Sequence, residues 1–247
     1  INPWMSRLQG TEPRLAEAQW NHLRDLLSGL DGVKLEFVEP RPGVPDLVFT
    51  ANAGLVVGRR VILSRFRFPA RSGEEPIFRK WFLDHECEVI ELPSDIFFEG
   101  AGDALCCGDE LFCGYHFRSE IRSHDWIAGL LGRRTLSLQL VDPRFYHLDT
   151  CFCPLAPGRA MYYPSAFDAY ARKVLAANID DLLEVTEPDA LRFGCNAVCI
   201  GSHVVMPAGC TQLVGDLCSR GYRVHSVNMS EYLKSGGAAK CLTLLLD

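Results

Sequence analysis

The sequence predicts an α/β protein assembled from a repeated unit, and three observations carry that reading. Short apolar runs of strand length alternate with longer stretches of helical spacing along the whole chain. The order helix, strand, hairpin returns at intervals of ~50 residues, which marks a repeat architecture rather than one doubly wound sheet. No Gly-x-Gly-x-x-Gly opens a helix after a strand and no phosphate loop is present, so a nucleotide cofactor is unsupported.

Taken in order, Thr11 is the expected N-cap of the first helix, with Pro13 in its first turn. Leu15, Trp20, Leu23, Leu26, Leu27 and Leu30 then lie near helical spacing, and Gly32 closes the helix. Residues 33–38 alternate as a half-exposed strand. Residues 44–50 read as a strand, 51–54 as a hinge, and 55–57 with 60–63 as a hairpin over Gly58-Arg59. A helix over 74–85 and a strand over 87–92 follow. The next stretch gives strands 104–107 and 110–114 about Gly108-Asp109, a helix over 119–132 and a strand over 135–140. Strands 151–155 and 160–163, a helix over 165–177 and a strand over 182–185 come next. The hairpin 197–206 turns at Gly201-Ser202 and leads to a helix over 211–220 and a strand over 222–226. A glycine-rich turn, Ser235 to Lys240, then meets Cys241 and an apolar run, 242–246, that reads as a short buried strand.

A length of 247 residues, 48% hydrophobic and 23% charged, suits one compact domain over 1–247. The net charge is −6 and no Lys/Arg run occurs, which argues against nucleic acid or an anionic membrane as partner. The 11 cysteines are odd in number and include the adjacent Cys106-Cys107, unlike a disulfide scaffold. With no signal peptide and no apolar run near ~18 residues, reduced thiols and a cytoplasmic location are expected. Because it begins at Ile1 rather than Met, the chain is expected to be a piece of something longer. Neither Cys151-x-Cys153 nor Cys106-Cys107 has the spacing of a zinc site, so no metal is expected.

Five polar features stand out. Cys241 sits between a tight turn and an apolar run, where a thiol can be held rigidly and still be reached; one more core cysteine is the alternative. Lys240 beside it is expected to lower the thiol pKa. Glu99 and Asp103 flank Gly100-Ala101-Gly102; a buried carboxylate pair calls for a cation such as a guanidinium, and a solvated turn is the alternative. His147 and Asp149 are two apart before a strand, a spacing that puts both on one strand face, with His147 suited to acid–base work; a His satisfied by a backbone carbonyl is the alternative. Asn52 stands at a break between strands, with an ordinary turn residue as the alternative, and Arg118 follows a strand as an anchor for a carboxylate, with an exposed surface Arg as the alternative.

Together these stretches resemble the guanidino-modifying superfamily, whose α/β fold is the pentein, a five-fold α/β propeller around a central site. The resemblance covers nearly the whole chain. It rests on Phe49-Thr50-Ala51-Asn52, Phe98-Glu99-Gly100-Ala101-Gly102-Asp103, Tyr146-His147-Leu148-Asp149-Thr150 and Gly236-Gly237-Ala238-Ala239-Lys240-Cys241, in the family's order. It implies Cys241 as the nucleophile forming a thiouronium, His147 as acid and base, and Glu99 and Asp149 gripping the guanidinium. Arg118 would hold the substrate carboxylate, Asp103 would support Glu99, and Phe49, Gly237 and Asn2 would border the substrate.

The deiminases of the superfamily usually carry Asp where this chain has Asn52. A neutral amide gives up an ion pair but suits a neutral ureido group, so the first product can be held and hydrolysed again. With Ile-Asn-Pro-Trp-Met and Phe-Thr-Ala-Asn-Ala-Gly, the pattern is similar to the arginine dihydrolases, which convert L-arginine to ornithine, two ammonia and carbon dioxide. That implies no cofactor, and either a homo-oligomer or a fused cyclodeaminase-like C-terminal domain. The alternatives are one hydrolysis only, as in arginine deiminase or dimethylarginine dimethylaminohydrolase, or a non-catalytic arginine-binding domain.

Overall fold

The computed structural model of the chain describes residues 2–5 and 10–246, so Ile1 of the opening pentapeptide lies outside the described residues. Helix α1 (Pro13–Ser28) is followed by four three-stranded sheets of one design. In the first, β1 (Gly54–Val57) and β2 (Arg60–Leu63) form an antiparallel hairpin, and α2 (Glu75–Asp84) carries the chain to β3 (Glu88–Ile90), parallel to β2. The second repeats this with β4 (Ala104–Cys107), β5 (Glu110–Tyr115), α3 (Arg122–Leu131) and β6 (Thr135–Gln139). The third has β7 (Phe152–Ala156), β8 (Arg159–Tyr162), α4 (Ala169–Asn178) and β9 (Asp181–Glu184). After the short α5 (Glu187–Ala190), the fourth comprises β10 (Val198–Ile200), β11 (His203–Pro207), α6 (Thr211–Ser219) and β12 (Arg223–Val227); α7 (Ser230–Leu233) leads to the tail.

The design follows from strand physics. A hairpin pairs two strands with a tight turn, whereas a parallel third strand needs a crossover, here a helix. The middle strand is buried on both faces. On β2, Val61 packs with Phe78 and Phe82 of α2, while Ile62 packs inward with Phe98 and Leu111. Contacts between successive units then close a ring. Arg65 and Phe98 bridge the first and second, and Phe112 meets Phe152 between the second and third. Cys153 Sγ lies 3.5 Å from the Ala197 carbonyl between the third and fourth, and Lys240 N–H donates to the Asn196 carbonyl at 3.3 Å. Ala51 N–H donating to the Cys241 carbonyl at 3.1 Å joins tail to start. The fold is the α/β pentein, as the sequence predicts.

The fifth position departs from expectation. Residues 33–38 and 242–246 form no ladder among the described residues, and Leu245 and Leu246 are exposed. Each run has strand composition but faces the other across an apolar groove of about 740 Å³ instead of pairing. Residues 44–50 are not a strand either: Pro45–Val48 and Thr50–Ala53 are 3₁₀ turns, and Pro45 has no N–H for a ladder. Glu12, not Thr11, is the N-cap of α1, and Gly29 rather than Gly32 ends it. Helix α4 starts at Ala169, where the Asp168 carboxylate caps Ala171 N–H at 2.7 Å, because Pro164–Ala166 form a separate turn. No described helix is long and apolar enough to cross a membrane.

Candidate active site

Site residues enter from one structural position, the turn that feeds the first strand of each hairpin. Asn52 lies in the turn before β1, Glu99 and Asp103 flank Gly100–Gly102 before β4, and His147 and Asp149 border or occupy Leu148–Thr150 before β7. Cys241 follows the glycine-rich turn at the fifth position. Asn2, Phe49, Asn52, Arg118, Tyr146, His147 and Cys241 line one cavity.

His147 and Asp149 are not aimed by strand alternation. His147 is extended and Asp149 sits in a 3₁₀ turn, so they diverge. The His147 ring places Nε2 2.7 Å from Glu99 Oε2, while Asp149 Oδ2 and Oδ1 lie 3.4 and 3.7 Å from Cys241 Sγ. Glu99 is buried below the cavity wall. Its Oε2 also meets Arg118 Nη1 at 3.3 Å, and Oε1 accepts Arg67 N–H at 3.2 Å. Burial pushes Glu99 up, but the hydrogen bond and charge of His147, with Arg118 and Arg71, outweigh it and hold the carboxyl at about 2.

Asp103 supports the site from outside the cavity. It accepts Ser119 Oγ–H at 2.6 Å, Ser119 N–H at 3.2 Å and Leu148 N–H at 3.0 Å, fixing the turn that carries His147. Burial raises Asp103 to about 6, against the pull of His147 and Ser119. Burial likewise raises Asp149 to about 6, with Lys240, Cys241 and Asn196 opposing it. The expected lowering of the Cys241 thiol by Lys240 is outweighed. Burial and then Asp149 push the thiol well above the ordinary range, and Lys240, whose ammonium donates to the Thr243 carbonyl, is a minor opposing charge. A thiol so placed is protonated at neutral pH.

Arg118 is buried, its guanidinium stacked 4.7 Å from the Phe68 ring centroid and 4.6 Å from that of Tyr146. Asn2 donates to the Ser235 carbonyl at 3.0 Å and to Tyr146 Oη at 3.4 Å, seating the N-terminal segment on the tail turn. Gly237 lies behind Phe49. A Cβ there would meet Phe49 Cε1 at 2.5 Å, so only glycine lets the ring sit flat on the backbone. Asn52 is held at both ends of its amide, with Oδ1 accepting Arg71 Nη1–H at 2.9 Å and Nδ2 donating to the Glu99 carbonyl at 3.1 Å.

Sequence reasoning missed Arg71 and Asn196. Arg71 is buried, is bound by both oxygens of Glu74 at 2.8 and 2.7 Å, and reaches the cavity wall; nothing in its sequence context marks it. Asn196 is buried 3.1 Å from Cys241 Sγ. Its signal was positional, a polar residue two places before the hairpin strand β10, as Asn52 is before β1. Among the described residues, no group of three or more His, Cys, Asp and Glu side chains is arranged to hold a metal ion.

The profile of the family described as "N,N dimethylarginine dimethylhydrolase, eukaryotic" matches residues 13–246. The chain belongs to this family of the guanidino-modifying superfamily. This member is 47% identical, over 99% of its length, to the bifunctional arginine dihydrolase/ornithine cyclodeaminase ArgZ of Synechocystis sp., and covers 35% of that protein. It thus spans about a third of the bifunctional relative. It is 39% identical over 99% of its length to the dimethylarginine dimethylaminohydrolase of Mycobacterium tuberculosis, covering 80% of that protein. The crystal structure of the ArgZ N-terminal domain, a cysteine-to-serine variant bound to substrate, superimposes with a TM-score of 0.95 at 45% identity, covering 100% of this chain and 92% of that one.

Proposed function

We propose that this domain is an arginine dihydrolase, taking free L-arginine and two waters to ornithine, two ammonia and carbon dioxide through Cys241. The observation that carries the reading is Asn52, a neutral amide clamped by Arg71 and the Glu99 carbonyl at the wall shared with Cys241 and His147. The 47% identity to a protein named as an arginine dihydrolase supports it.

Asp149, beside Cys241 Sγ, binds the guanidinium of arginine and places its carbon against the sulfur. The arriving cation stabilises the thiolate that burial had disfavoured, and the thiol proton passes to His147. Sulfur attacks the guanidinium carbon, and the tetrahedral adduct expels ammonia, which takes its proton from His147. Water, deprotonated by His147, attacks the resulting thiouronium. The C–S bond breaks to give citrulline and the thiolate. The neutral ureido group loses little by facing Asn52 rather than a carboxylate, and a second round releases ammonia, carbon dioxide and ornithine. Arg118, stacked on Tyr146 at the cavity wall, suits the substrate carboxylate. The eleven free thiols fit a reducing compartment such as the cytoplasm.

Product stoichiometry tests the proposal. Two ammonia per ornithine with little citrulline is the expected result, and Cys241→Ala should abolish turnover. One ammonia per citrulline would make the protein a deiminase. The family profile favours a second reading, hydrolysis of methylated arginine; faster release of dimethylamine from dimethylarginine than of ammonia from arginine would establish it.

A further inference from the structure

The fourth unit has no assigned share in the chemistry. Asn196 occupies the place there that Asn52 occupies in the first, two residues ahead of the hairpin. It is fully buried, and its bonds fix which way its amide points. Cys241 N–H lies 3.1 Å from Oδ1 and can only donate; the Asp149 carbonyl lies 3.0 Å from Nδ2 and can only accept. Flipping the amide would break both bonds. Nδ2 therefore faces Cys241 Sγ at 3.1 Å as a donor. An N–H holds a thiolate more strongly than a thiol, because the bond to the anion is charge-assisted.

We infer that Asn196 is a catalytic residue of the Cys241 chemistry, its side-chain N–H stabilising the sulfur anion while its Oδ1 pins the nucleophile's backbone. The inference rests on Cys241 being the nucleophile. It applies twice in each round, when the thiol gives up its proton and when the thiouronium releases sulfur. The other charges bearing on the sulfur are Asp149 and Lys240, and Arg71, Arg118, His147 and Tyr146 share the cavity. Of the side chains bonded to Sγ, Asp149 opposes the anion and Asn196 favours it.

The test follows the pH dependence of iodoacetamide alkylation at Cys241, read by mass spectrometry of its peptide, beside kcat and KM for arginine. Asn196→Asp keeps an acceptor for Cys241 N–H but turns the donor into a second carboxylate. Its alkylation midpoint should rise by about one pH unit or more. The kcat should fall roughly 10- to 100-fold while KM changes by less than about threefold. Asn196→Ser, with a hydroxyl donor, should titrate between the two. If Asn196→Asp does not fold, Asn196→Ser against the parent makes the same comparison. Alkylation midpoints equal to the parent's, with loss of activity explained by a lower Tm, would overturn the inference. Cys241→Ser separates the two readings: retained turnover sinks the nucleophile assignment, whereas abolished turnover with unshifted Asn196 variants sinks only the role of Asn196.

Discussion

Glu99 and Asp149 are both buried carboxylates in one site, yet Glu99 is held at about 2 and Asp149 rises to about 6. Burial acts on both in the same direction, so the partners decide. Glu99 has His147 and Arg118 within bonding distance, whereas Asp149 has a thiol and an amide. Lys240 acts on Asp149 through charge while its ammonium bonds the Thr243 carbonyl, and a guanidinium would supply a cation in contact. The folded value lies above the ordinary 3.8, so the stability Asp149 contributes is fully present below about 3.8 and is lost as pH rises through about 6. Arginine should restore it, raising Tm most above pH 6. Binding of arginine to Cys241→Ser, measured by calorimetry, should be constant above about pH 7 and weaken up to tenfold per pH unit below about 6. In Asp149→Asn that dependence should vanish and binding should be weak throughout. Equal affinity at pH 5 and pH 7 in Cys241→Ser would remove Asp149 as the guanidinium's partner.

At the scale of the element, the turns before the inner strands do the positioning, and they are packed too closely for larger residues. A Cβ added at Gly102 would collide with Nδ2 of Asn52. Gly102→Ala should therefore displace that amide from Arg71 and the Glu99 carbonyl. We expect turnover to fall at least about tenfold, with a stability loss of roughly 1–3 kcal/mol. Steady-state kinetics beside a thermal melt would check this, and unchanged kcat would show that Asn52 can shift without consequence. The hairpins of these units were legible because alternating apolar residues meet at glycine turns, as at Gly58, Gly108 and Gly201. The turns themselves were less so. Spacing put His147 and Asp149 on one strand face, but a 3₁₀ turn sends one toward Glu99 and the other toward Cys241. Asn196 was hidden because a single Asn between Cys195 and Ala197 looks like ordinary sequence until its register to β10 is known. Residues 33–38 and 242–246 have strand composition, but a strand exists only with a partner, and composition does not report the partner.

At the scale of the molecule, four repeats and a fifth position share one site, so no unit can supply it alone. Asn52, Glu99, the pair His147 and Asp149, Asn196 and Cys241 come from five positions around the ring, and the bonds among them cross every junction but the last, which Ala51 and Cys241 join through the backbone. Such a ring should melt as one body. Phe152 tests this, because its fully buried ring packs 5.3 Å from that of Phe112 across the junction of the second and third units. Phe152→Ala removes that contact and leaves a cavity, costing roughly 3–5 kcal/mol. For a chain of this size that lowers Tm by roughly 6–20 °C. If the ring is cooperative, near-ultraviolet circular dichroism and residual activity should fall together in one shifted transition. If the units melt separately, activity should vanish first, since it needs every unit, while the dichroism shows a second step from the fourth sheet. Coincident curves would mean that stability and the site depend on the same closure of the ring.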